Sequence, residues 1–194
     1  MRILALDIST KTGWSSLDDG KLVNKGRLVV SIEDFNVNDF PDRSPKYPHN
    51  MLSGAYKMAC NIESILKQEK PDIVVIENTV KGRNRHTQRI LEWIHKAVLE
   101  VLIEMKIKPH YRDPSWWRSI IGVRLTNDDK KNNKLVKEGK KKGKITSKHL
   151  AVRIANELFE LKLLQKDNDI ADSILLGLAF FKDFKRGICD NQQK

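Results

Sequence analysis

Cysteine is nearly absent: Cys60 and Cys189 are the two in 194 residues, and they lie far apart. They match no metal-ligand spacing and are too few for a disulfide framework, so the thiols are expected to be inert in a reducing cytoplasm. Long apolar runs are missing too. The longest, DIVVI and LLGLAFF, fall far short of the ~20 residues that cross a bilayer, so no membrane association is expected. One basic residue precedes the first strand-like run and no small-residue cleavage site follows it, so neither a secretory signal nor a transit peptide is expected. Five scattered histidines and the lack of a serine elbow leave no convincing nucleophilic triad. No internal repeat or linker divides the chain, so residues 1–194 are read as a single domain, long enough to bury a full core.

Acidic residues are outnumbered: 36 Lys and Arg against 25 Asp and Glu give a net charge of +11. The excess is local. Between Lys106 and Leu150 stand 14 Lys/Arg and 4 Asp/Glu, so this stretch carries ten of the eleven net charges. A confined basic patch points to a polyanion, most often nucleic acid, because neutralised phosphates release their condensed counterions. The competing reading is a solvated lysine-rich loop.

Along the chain, residues 2–7 form an apolar run of strand length. Residues 13–17 and 21–30 alternate around the turn signal Asp18-Asp19-Gly20, predicting a three-stranded antiparallel meander. Residues 31–50 have loop composition. Apolar positions at helical spacing predict a helix over 51–68, which Pro71 stops. Asp72-Ile-Val-Val-Ile-Glu77 is a β-branched run of the kind buried on both faces of a central strand. The basic loop Lys81-Gly-Arg-Asn-Arg85 leads into a long helix over 87–105 with one broad apolar stripe, from Ile90 to Leu102. Residues 106–112 predict a last strand, and Asp113-Pro114 opens a short helix. Residues 122–146 read as a polar, lysine-rich mobile loop. Ser147 is placed to cap a helix over 148–161, and a final helix is expected over 168–184. The order predicts an α/β protein, a mixed sheet with helices packed on it.

Four carboxylates stand at informative places. Asp7 ends the first strand, Glu77 ends the central strand, and Asp169 and Asp172, three apart and so on one helical face, open the last helix. Each has a plain explanation as a strand-end turn residue or a helix-dipole carboxylate. Jointly, strand ends and a helix N-terminus can converge on one point, where four carboxylates would repel severely without a divalent cation. Oxygen-only ligation suits Mg²⁺ or Mn²⁺, the chemistry of two-metal phosphodiester hydrolysis. Lys11 and Thr12, just after Asp7, could approach a phosphate or simply make a turn. Trp116 and Trp117 fit core and rim packing better than stacking on bases, and Cys60 fits a core position.

Asp7 followed by STKTGW, IVVIEN ending on Glu77 and Asn78, a long helix, and the terminal DNDIADSILLGLAF together resemble the RuvC family of Holliday-junction resolvases. The resemblance follows element order over nearly the whole chain; by residue type it rests on these short motifs, the terminal one being the most specific. It implies a ribonuclease H-like fold whose mixed five-stranded sheet, three antiparallel strands then two parallel, is flanked by helices. It implies two Mg²⁺ ions, replaceable by Mn²⁺, held by Asp7, Glu77, Asp169 and Asp172, and a homodimer that nicks opposed strands of a four-way DNA junction. Helix 87–105 would supply much of the dimer interface. Lys148 would contact backbone phosphate near the scissile bond as a further catalytic residue, with Lys144 behind it. Further DNA contacts are expected from Lys11, Thr12, Lys81, Arg83, Arg85, Lys140, Lys141 and Lys142. Two departures stand out: Val80 where the family often has an aromatic, and the long lysine-rich stretch from Gly122 to Thr146. They suggest a divergent branch, in a bacterium or a phage-infected cell, and leave cleavage-sequence preference open. A ribonuclease H acting on hybrids, a general branched-DNA nuclease, or a non-catalytic nucleic-acid binder of the same fold are the alternatives.

Overall fold

The first strand dictates the layering. In β1 (Arg2–Asp7), Ile3 and Ala5 alternate with Leu4 and Leu6, and all four are fully buried, so both faces of the strand must be covered. The computed structural model describes residues 1–30, 49–79, 84–140 and 142–191. With β2 (Lys11–Asp18), β3 (Lys21–Val29), β4 (Ile73–Glu77) and β5 (Pro109–Arg112), β1 builds one sheet in the order β3-β2-β1-β4-β5. The first three strands are antiparallel; β1, β4 and β5 are parallel. Asp19 and Gly20 both take positive φ, 47° and 78°, as the tight turn between β2 and β3 demands.

One face is covered by α1 (His49–Glu69) and α2 (Arg85–Glu104), whose Met58, Ile62, Leu66, Ile94, Val98 and Leu102 pack on Leu4, Leu6, Val74 and Ile76. The other face carries α3 (Pro114–Ile121), α5 (Ser147–Phe159) and α6 (Asn168–Asn191) on Ile3, Ala5 and Val75. Small residues let α6 lie close. A Cβ on Gly177 would stand 2.6 Å from Leu17 Cδ1 and 3.1 Å from Ala5 Cβ. Among the described residues no helix is long and apolar enough to cross a membrane.

The expected architecture is observed, with local corrections. The stretch 122–146 is not simply a loop: α4 (Asn127–Lys137) occupies its centre. Thr126 and Asp129 form a capping box, with Thr126 N–H donating to Asp129 Oδ2 (2.9 Å) and Asp129 N–H to Thr126 Oγ1 (3.1 Å). Acids at its start and Lys134 and Lys137 at its end suit the helix dipole. β5 starts at Pro109 rather than Lys106, because Lys106, at φ 58°, and Ile107 close the end of α2 through bonds to Ile103 and Leu102 carbonyls. β2 starts at Lys11, two residues earlier than expected. Thr146, not Ser147, is the N-cap of α5; its hydroxyl lies 2.7 Å from His149 Nδ1. Cys60 is half-buried rather than a core residue. Most of the expected loop at 31–50, together with Val80, Lys81, Arg83 and Lys141, lies outside the described residues.

Candidate active site

Parallel pairing of Leu6 with Ile76 brings the C-terminal ends of β1 and β4 side by side, so Asp7 and Glu77 leave neighbouring strands at the same edge of the sheet. Asp7 is also the cross-strand partner of Gly13 on β2. Onto Gly13 comes the first turn of α6: a Cβ there would lie 1.9 Å from Asp169 O and 2.8 Å from Ile170 N. The missing side chain admits the helix terminus. The turn Gln165–Asp167, which precedes α6, is tied back to β3 by Arg27, whose Nη1 donates to Lys166 O (2.6 Å) and lies 3.7 Å from Asp167 Oδ1.

The four carboxylates share one electrostatic neighbourhood. Asp7 is held well above the usual carboxylate range, first by burial and then by the charges of Glu77, Asp172 and Asp169, with Lys148 opposing. Asp172, 3% exposed, is pushed up to about 7 by burial and by Glu77, against Arg118 and Lys148. Burial raises Glu77 as well, opposed by a hydrogen bond from Trp117 and by the Arg118 and Lys148 charges. Among the described residues Asp172 Oδ1, which is buried, has no hydrogen-bond partner. Such an orphaned anionic oxygen is costly unless a cation or donor meets it. Hard oxygen donors of this kind fit Mg²⁺ or Mn²⁺ by chemistry. By spacing they do not yet form a cage: among the described residues no three His, Cys, Asp or Glu side chains are grouped closely enough to hold a metal ion.

Cations border the cluster. Lys148, in the first turn of α5 and 57% exposed, donates from Nζ to Asn168 Oδ1 at 2.6 Å and lies 3.7 Å from Asp169 Oδ1. Arg118 was not foreseen from sequence. It follows Trp117 on α3, its guanidinium lies 5.0 Å from that indole's centroid, and its buried Nε has no partner among the described residues. Trp117 itself is fully buried and its indole N–H donates to Glu77 Oε2. Trp116 is half-buried at the rim, under Arg112 (5.1 Å), where with Asn78, Tyr111, Arg112 and Asp113 it lines a recess of about 300 Å³ next to Glu77. Burial lowers His95 of α2 below the usual imidazole range, opposed by a hydrogen bond with the backbone of Ile8, just after Asp7.

The expected DNA contacts divide. Lys11 is exposed, whereas Thr12 is fully buried; its hydroxyl donates to Ser9 O (2.7 Å) and accepts Ser9 N–H (3.1 Å). Thr12 therefore makes the turn, and its expected contact with DNA is withdrawn. Arg85 is exposed at the start of α2; Lys140, Lys142 and Lys144 are exposed between α4 and α5, Lys140 paired with Glu138 at 2.9 Å. The apolar stripe of α2, the helix expected to supply much of a dimer interface, faces the chain's own core.

No family model matches the sequence, and no curated protein matches it. Solved structures do. The chain is similar to Thermus thermophilus RuvC, both in a complex described as containing Holliday junction substrate (TM-score 0.63, 95% of this chain and 96% of that one) and in a further structure (TM-score 0.62, same coverage), at 13% identity in each case. It is also similar to the yeast mitochondrial Holliday junction resolvase Ydc2, with TM-score 0.53 and 13% identity over 98% of this chain and 83% of that one. The chain has the ribonuclease H-like fold of the RuvC-type resolvases.

Proposed function

We propose that this chain is a divalent-metal-dependent endonuclease that resolves four-way DNA junctions by symmetric nicking. The observation that carries the reading is the seating of α6 on Gly13, which sets Asp169 and Asp172 against the strand ends bearing Asp7 and Glu77, in a fold shared with junction resolvases. Asp7, Glu77, Asp169 and Asp172 would hold two Mg²⁺ ions, with Mn²⁺ as a substitute. When bound, such a pair supplies an activated water and Lewis-acid stabilisation of phosphate charge.

The chain's own residues supply the remainder. Asp172 Oδ1 offers unshared lone pairs. The Trp117 N–H fixes one Glu77 oxygen and so orients the other. The Lys148 ammonium, beside Asp169, meets the scissile phosphate and offsets its charge. Lys11, Arg85, Lys140, Lys142 and Lys144 contact backbone phosphates; Lys81, Arg83 and Lys141 are assigned the same role on sequence alone. No covalent intermediate is needed. A homodimer in the cytoplasm of a bacterial or phage-infected cell completes the reading. The α2 stripe being committed to the core, its apolar contacts would come from exposed residues such as Ile103 on α2 and Leu52 and Tyr56 on α1.

The test is incubation of purified protein with a mobile four-way junction and, in parallel, an RNA/DNA hybrid. With Mg²⁺ the junction should receive two opposed nicks that yield ligatable duplexes, and the hybrid should survive. Asp7→Asn should bind the junction without nicking it, and Lys148→Met should slow nicking at saturating DNA. Absence of nicks from the wild type with either Mg²⁺ or Mn²⁺ would sink the catalytic reading.

A further inference from the structure

Hydrophobic burial does not explain α4. Its sequence, NDDKKNNKLVK, contains two apolar residues, Leu135, which is 39% exposed, and Val136, which is half-buried. The inward stripe consists of Asp129, Asn132, Asn133 and Val136, at helical spacing, while Lys130, Lys131, Lys134 and Lys137 are exposed. A helix with so little apolar surface is marginal by itself and needs other anchors.

Those anchors are polar, and they lead to the active site. Asn133 clamps both backbone groups of Ile145: Ile145 N–H donates to its Oδ1 (2.7 Å) and its Nδ2 donates to Ile145 O (2.9 Å). Asn132 Nδ2 donates to Gly143 O at 3.1 Å. Arg153 of α5 grips Asp129 with two prongs, Nη1 to Oδ1 at 3.3 Å and Nη2 to Oδ2 at 3.0 Å. Exposed ion pairs contribute little, but the Asp129 side chain is 6% exposed and a forked guanidinium fixes an angle as well as a contact. Ile145 adjoins Thr146, the N-cap of α5, and Lys148 in the next turn reaches Asn168 and Asp169. Polar contacts to Ile145, three residues of chain and the Lys148 side chain therefore connect α4 to Asn168 and Asp169.

We infer that α4 is a rigid platform for the phosphate backbone of one duplex arm, held in fixed register with the carboxylates by Asp129–Arg153 and Asn133–Ile145. Charge selects the occupant. Lys130, Lys134 and Lys137 follow one another over about 10 Å of helix, which along a duplex corresponds to about three phosphates of one strand. What the register serves, the placement of the nick relative to the branch, rests on the nuclease reading; the binding does not.

The test uses full-length protein and a labelled four-way junction without divalent metal. Replacing Lys130, Lys131, Lys134 and Lys137 together by Ala should weaken binding more than tenfold at ~150 mM salt, flatten the log–log salt dependence by about three, and erase hydroxyl-radical protection on one arm. Asp129→Asn combined with Asn133→Ala should retain most of the affinity but blur that protection and, with Mg²⁺, scatter the nick over neighbouring nucleotides. Circular dichroism verifies that each variant is folded. A four-lysine variant with wild-type slope and footprint, or a sharp wild-type footprint after the double substitution, overturns the platform. Arm protection without wild-type nicking under any metal supports the platform and overturns the nuclease reading instead; nicking with an unchanged footprint in the four-lysine variant does the reverse.

Discussion

A Cβ on Gly13 would stand 1.9 Å from the carbonyl oxygen of Asp169, so β2 and α6 meet backbone to backbone beside Asp7, the cross-strand partner of Gly13. Gly13→Ala has no flexible neighbour to displace and must push the α6 terminus, with Asp169 and Asp172, away from Asp7. A displacement of about 1 Å at a reacting centre lowers rates roughly 100-fold, and a loss of that order in junction cleavage is expected. Gly177→Ala is the control. Its Cβ would meet the Leu17 side chain farther along α6, so it should destabilise by about 1–3 kcal/mol in thermal melts with a much smaller effect on cleavage. Equal activities of the two variants would remove the seating of α6 from the account.

Trp117 is tied to Glu77 rather than to a nucleic-acid base. Trp117→Phe keeps an aromatic ring in the core and deletes the donor, leaving a buried carboxylate oxygen unpaired at a cost of about 1–3 kcal/mol. Cleavage should then demand several-fold more Mg²⁺, with a lower rate even at saturating metal. Trp116→Phe, at the rim, should shift neither quantity. A Mg²⁺ titration of both variants decides the matter.

Burial and the charge of Glu77 raise Asp172 to about 7, and Asp7 and Glu77 are raised with it. A carboxyl raised in the folded state supports folding while it is protonated, and that support is lost as pH climbs from its ordinary value of 3.8 through about 7. Metal-free protein should therefore melt at progressively lower temperature between about pH 4 and about pH 7. Asp172→Asn should flatten this slope, and Mg²⁺ should restore stability most at the alkaline end, where it binds ionised ligands. Melting curves in chelator that are flat with pH would contradict the crowded, uncompensated cluster.

Asp7 and Glu77 were legible because a buried apolar run that ends in a carboxylate is unusual, and Asp169 and Asp172 because their spacing puts them on one helical face. Gly13 was not. Its meaning lies in a contact with the far end of the chain, and within STKTGW a glycine reads as a turn. The helix α4 escaped for another reason: held by Asp and Asn side chains, it has no apolar period to detect. For α2 the periodicity gave the stripe but not its cover, which is α1 and the sheet. Trp117 could be weighed as core against stacking; that its N–H would find Glu77 could not be read from spacing.

Lys11 and Thr12 separate the turn after Asp7 from whatever that turn touches. The Thr12 hydroxyl both donates to and accepts from the Ser9 backbone while buried, and the Lys11 side chain is exposed. Thr12→Val keeps the shape and deletes both bonds, so stability should fall by about 1 kcal/mol or more with junction affinity nearly unchanged. Lys11→Ala should leave the melt unchanged and, if this lysine meets one phosphate, flatten the salt dependence of binding by about 0.9. The two substitutions act on adjacent residues but on different quantities. The reverse pattern, with Thr12→Val weakening DNA binding at constant stability, would return Thr12 to the DNA interface and require the turn to open.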